Sequence, residues 1–135
     1  MTQEDKSLLL QDLCARLPYG VYMHHKNYPD AKFWLIAVFG DGKIGVSENG
    51  IPLTPTSINE CKPYLRPMSS ITEEERKSYI HLLKLAKSDR IVLSKEGLGT
   101  SGAADIIGYL NAHYLDFRGL IPMGLAIEAP EGMYK

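Results

Sequence analysis

The sequence predicts one α+β domain over residues 1–135, an antiparallel three- or four-stranded meander packed with about three helices. Three observations carry this expectation. Leucines near the N-terminus recur at helical spacing. Short β-rich runs then follow one another across Asp41-Gly42 and Asn49-Gly50, dipeptides suited to tight hairpins. Two further helical patterns come after a proline-containing stretch at 57–71.

The first element is a helix over 3–17. Thr2 stands at the capping position and Asp5 in the first turn, where a carboxylate meets the positive end of the helix dipole. Leu9, Leu13 and Leu17 form the apolar stripe, with Leu10 and Cys14 beside it. Burial of each leucine contributes about 1.5–3 kcal/mol. Cys14 is expected in the core, as free cysteines usually are. Pro18 and Gly20 end the helix.

Val21 to His25 reads as the first strand. Phe33 to Phe39 is seven apolar residues in a row, which predicts a strand covered on both faces. Lys43 to Ser47 is the third strand. Ile51 to Thr54 is an edge strand or loop, because Pro52 and Pro55 cannot donate to a ladder. Residues 57–71 read as linker. Thr72 and Glu75 make a capping box for a helix over 72–88, with Tyr79, Ile80, Leu83 and Ala86 on its apolar face. Arg90 to Ser94 fits either a short strand or more helix. Residues 101–115 predict a last helix, with Ile106, Ile107, Leu110 and Tyr114 on one side. A short strand is expected at Leu125 to Ile127, among the breakers Pro122, Gly124, Pro130 and Gly132.

Composition narrows the function classes. Formal net charge is -1, with 15 basic and 16 acidic residues spread evenly along the chain. Such a balance argues against strong attraction to nucleic acid or anionic lipid. The N-terminal apolar run stops at Leu8 to Leu10, too short for a signal peptide, and no segment has the length of a membrane span. A cytoplasmic protein is the expectation. The two cysteines, Cys14 and Cys61, form no metal-binding spacing and no disulfide framework.

Candidate sites are few. Gly97, Gly99 and Gly102 spell Gly-x-Gly-x-x-Gly, the pattern of a phosphate-binding turn. A dinucleotide fold needs further parallel βα units after that turn, and only 33 residues follow Gly102. A loop with Thr100 or Ser101 as helix cap is the plainer reading. His24-His25 lie adjacent on a strand and so point to opposite faces, which defeats joint metal ligation. Neither His81 nor His113 adds a zinc spacing. Glu73, Glu74 and Glu75 suit a first helical turn. Lys77, Lys84 and Lys87 line the polar side of the second helix, an alternative contact for nucleic acid. Ser69, Ser70 and Cys61 lack the partners that activate a nucleophile. Asp116 and Arg118 are placed to pair. No cofactor and no metal is expected, and the sequence leans away from an enzyme. Phe33 and Trp34, in the apolar strand, are the candidate partner-binding residues, for another protein or a second copy of this chain.

Three stretches, LCARLPYGV (13–21), KPYLRPMSSITEEE (62–75) and LNAHYLDFRGLIPMGLAIEAPEGMY (110–134), resemble a group of small uncharacterised proteins carried by phages and other mobile elements of gut anaerobic bacteria. The resemblance covers a little over a third of the chain. It implies an accessory protein working in the cytoplasm of a bacterial host, and it carries over no functional residue. The expectation is therefore a non-enzymatic protein that binds another protein. The alternatives are a nucleotide- or phosphate-binding enzyme using the Gly97–Gly102 loop, and a weak nucleic-acid binder through the helix at 72–88.

Overall fold

The computed structural model describes residues 1–81, 84 and 101–134, with backbone alone for 101–105. Helix α1 spans Gln3–Arg16. Strands β1 (Tyr22–His25), β2 (Tyr28–Val38), β3 (Lys43–Glu48), β4 (Ile51–Pro52) and β5 (Thr56–Ser57) follow. After a 3₁₀ turn comes β6 (Cys61–Leu65). Helix α2 begins at 73 and is described through 81. Helix α3 is Ser101–Ala112, and β7 is Ile127–Glu128. The class is α+β, with three helices among the described residues, as the sequence predicts. The sheet is larger and differently built: among the described residues it has seven strands, in the order β4-β3-β2-β1-β6-β7 with β5 also on β3. Its pairs are antiparallel except β6 with β7, which is parallel. Among the described residues, no helix is long and apolar enough to cross a membrane.

The N-terminus folds as its chemistry directs. The Thr2 hydroxyl accepts from the Asp5 amide and the Asp5 carboxylate from the Thr2 amide, each at 3.0 Å. Two otherwise unpaired donors are thereby satisfied. The buried face of α1 is not all leucine, however. Leu9 and Leu13 are joined by Asp12 and Arg16, all four fully buried. Cys14 is exposed rather than in the core. The i, i+3, i+4, i+7 stripe from Leu9 runs through the charged pair and passes Cys14 by.

The hairpins follow turn chemistry. Asn49 and Gly50 both take positive φ, 52° and 83°, and join Glu48 to Ile51 in a two-residue turn. The β2–β3 loop is three residues, not two, because the Phe39 amide donates to the Lys43 carbonyl at 2.9 Å. Gly42 supplies the left-handed residue at φ 83°.

Strand β2 is half-buried instead of covered on both faces. Phe33 and Leu35 enter the core, while Ile36 at a β-bulge and Phe39 are exposed. The second face carries an aromatic layer: Tyr22 stands edge-on to Trp34 at 4.8 Å and tilted on Tyr134 at 5.5 Å. The main core lies on the other face, where Leu9, Leu13, Met23, Leu35, Ile44 and Leu65 meet.

The stretch 57–71 is not linker. Cys61, Pro63 and Leu65 alternate inward as β6. The Lys26 amide donates to the Glu60 carbonyl at 3.0 Å. Bonded and non-bonded pairs alternate along an antiparallel ladder, so Pro63 opposite Met23 falls at a non-bonded position. Its missing N–H costs β1 nothing, and β7 pairs only from Tyr64 onward. The last strand lies two residues later than expected, at Ile127–Glu128. Arg90 to Ser94 lie outside the described residues.

Candidate functional site

A cleft of about 480 Å³ opens at the β4 end of the sheet. Its floor is Phe33 and Val46 from the core side of β2 and β3, and its walls are Tyr28, Leu53, Pro55 and His25. Residues 51–57 make the outer wall because they leave the ladder and return. The Leu53 amide still donates to the Val46 carbonyl at 2.9 Å. Thr56 then pairs with Ile44 one position out of register. Thr54 and Pro55 bow outward between them.

One end of the cleft is polar. The Asn27 amide donates to His25 Nδ1 at 3.1 Å, which leaves the ring proton of a neutral His25 on Nε2. That N–H faces Thr56 Oγ1 at 3.2 Å and Glu60 Oε2 at 3.4 Å. The Thr56 hydroxyl donates onward to Glu60 Oε2 at 3.3 Å. Both nitrogens of His25 are engaged, so the imidazole has no lone pair free to act as a base. Cys61 lies next to this chain, and burial pushes its thiol up to about 11. A protonated thiol is a poor nucleophile. The cluster orders the cleft wall and activates no attacking group. Glu48 is the acid that lines the cleft directly.

A second polar cluster centres on Glu75. Its carboxylate accepts both terminal nitrogens of Arg66, at 2.7 and 2.8 Å, the Thr72 amide at 2.9 Å, and His113 Nδ1 at 2.9 Å. The Arg66 guanidinium above all holds the Glu75 carboxyl down at about 2. The Tyr109 hydroxyl donates to the Glu75 carbonyl at 2.9 Å. Arg66 also donates to the Ser70 and His113 carbonyls. With its donors so occupied, it pins α2 to the end of α3 and is not open to a ligand anion.

The structure separates the residues singled out from sequence. Phe33 faces the core and the cleft, whereas Trp34 lies half-buried on the opposite face over Gly20. Lys77 and Lys84 are exposed. Lys87, Gly97 and Gly99 lie outside the described residues, and Gly102 falls in the first turn of α3. His24 and His25 point to opposite faces. Asp116 does not pair with Arg118. It accepts the Leu120 and Ile121 amides at 2.8 and 2.9 Å, while Arg118 reaches Asp12 at 2.6 Å. Among the described residues, no group of three or more His, Cys, Asp or Glu is placed to hold a metal ion.

Sequence reasoning missed the cleft residues Tyr28 and Thr56, and Glu60 behind them, and weighed His25 only as a metal ligand. The available signal was Pro52 and Pro55 beside a β-rich run, which marks an interrupted edge where a groove can form. Set against models of protein families, curated proteins and solved structures, the chain matches none.

Proposed function

We propose that this chain is a non-enzymatic accessory protein that binds another protein, and that the cleft beside β4 receives the partner. The observation that carries the reading is the exposed apolar rim. Tyr28 is 60% exposed, Ile51 66% and Leu53 40%; Tyr28 and Leu53 line the cleft, and Ile51 pairs with Glu48, which lines it too. Exposed large apolar side chains gathered around a groove mark interaction surfaces more often than scattered ones do. His25, Thr56 and Glu60 satisfy one another, which fits recognition rather than bond making. The resemblance to small uncharacterised proteins of phages and mobile elements, which implies an accessory role, agrees with the same reading.

The partner docks by side chains rather than by adding a strand. Leu53 donates inward to Val46, so the neighbouring Pro52 occupies the position whose N–H would face outward. Proline there removes the donor an incoming strand would need.

The test is capture from bacterial lysate by the parent chain and by the double variant Tyr28→Asp, Leu53→Asp. A protein retained by the parent and lost by the variant, with unfolding midpoints unchanged, is the expected result. Retention of the same proteins by both would refute the reading. If light scattering shows a dimer that the variant abolishes, the partner is a second copy.

A further inference from the structure

We infer that the side chain received by the cleft is basic, a lysine or arginine of the partner laid against the exposed Tyr28 ring beside Glu48; the inference rests on the docking reading above. Three rings that line the cleft are inclined to one another instead of stacked. His25 and Tyr28 have centroids 5.1 Å apart at 56°. His25 and Phe33 are 6.1 Å apart at 63°. Tyr28 and Phe33 are 6.3 Å apart at 73°. These are contact distances, so the three rings form one aromatic wall, and Tyr28, 60% exposed, is the ring it offers to a ligand. The negative face of an aromatic ring attracts a cation within about 6 Å of its centroid.

The charges agree with the rings. Glu48 lines the cleft, and none of the described residues lining it is a lysine or arginine. Glu60 stands behind Thr56, within 3.4 Å of His25 Nε2. A second acid therefore lies behind the aromatic wall, tied in place by the Thr56 hydroxyl. The rest of the wall, Val46, Leu53 and Pro55, is apolar. A lysine or arginine side chain has this same division, with a hydrocarbon stem that packs on apolar surface and a charged head. An acidic side chain would face Glu48. A purely aliphatic one would fill the apolar wall and leave Glu48 unanswered.

The experiment titrates the full chain with three capped tripeptides, Gly-Lys-Gly, Gly-Arg-Gly and the uncharged isostere Gly-norleucine-Gly, and follows backbone amide resonances. The expected result is that shifts gather on residues 28, 31, 48, 53, 54 and 56. The two basic peptides should bind about five- to ten-fold more tightly than the norleucine peptide, the range a cation–π contact supplies. Tyr28→Leu and Glu48→Gln should each erase most of that difference while the remaining amide spectrum stays that of the folded chain. Raising salt to about 0.5 M should weaken the basic peptides alone. Equal binding of the norleucine peptide, or shifts that avoid the cleft, would overturn the inference. So would tighter binding of tetramethylammonium than of either peptide, since the site would then be made for a free cation. Partner capture that depends on Leu53, combined with indifference to charge, would overturn this inference and leave protein docking standing.

Discussion

At the scale of single residues, Glu75 shows how one side chain serves several structural ends. It closes the capping box of α2, receives Arg66 in a two-pronged pair, and orients His113. Its carboxyl sits at about 2, below the ordinary 4.5, chiefly because Arg66 favours the ionised form. A depressed folded-state value means the stabilisation is fully present above about pH 4.5 and is lost as pH falls toward about 2. Glu75→Gln keeps an amide able to cap and removes the charge. We expect it to cost on the order of 2 kcal/mol at neutral pH. Urea unfolding across the acid range should show the parent losing stability between pH 4.5 and 2 and the variant losing less there. Equal slopes for the two would dismiss the ion pair as the cause. The capping box was legible in the sequence because it lies within four residues. Arg66 and His113 were not, since nothing in a linear pattern pairs residues nine and thirty-eight positions away. Cys14 was misplaced for a related reason: helical spacing defines a stripe about three residues wide and cannot say which flank turns inward.

At the scale of elements, chain ends are set by left-handed residues. Gly20 at φ 76° closes α1, its amide donating to the Arg16 carbonyl at 2.9 Å. Helix α3 ends in a Schellman-type turn, in which the Leu115 amide donates to the Leu110 carbonyl and the Tyr114 amide to the Asn111 carbonyl. The left-handed position there is Tyr114, at φ 62°. A tyrosine in that conformation costs about 1–2 kcal/mol relative to the right-handed region. Its ring stacks on Tyr134 with centroids 3.7 Å apart, a contact that offsets the strain. Gly20 carries a second constraint, because a methyl group placed there would overlap the Trp34 indole. Gly20→Ala should therefore destabilise by about 2–3 kcal/mol, through φ and overlap together. A shift of the urea midpoint measures it, and an unchanged midpoint would show that Trp34 is free to move aside. Pro18 and Gly20 announced the end of α1 plainly. Strand β6 did not announce itself, because its Pro63 is tolerated only where the neighbouring ladder happens to need no donor.

At the scale of the whole molecule, a buried polar network joins the two ends of the described chain. Asp12 on α1 accepts Arg16 Nε at 2.8 Å and Arg118 Nη1 at 2.6 Å. Arg16 continues to the Leu115 carbonyl at 2.8 Å. Asp12 and Arg16 are fully buried. Removing one member of such a group strands the others, so Asp12→Ala should cost about 3–5 kcal/mol. Thermal unfolding checks the size, and a loss below about 1 kcal/mol would mean that water replaces the carboxylate. The sequence by itself determined the α+β class, the capped first helix, the turn at Asn49-Gly50 and the capping box of α2. Each depends on contacts within a few residues, where residue type and spacing are the whole cause. The tertiary structure decided the seven-stranded order, the parallel β7, the Asp12–Arg118 pair, the Glu75 cluster and the cleft. These join residues far apart in the chain, and which of many compatible groups meet is settled only by how the elements pack.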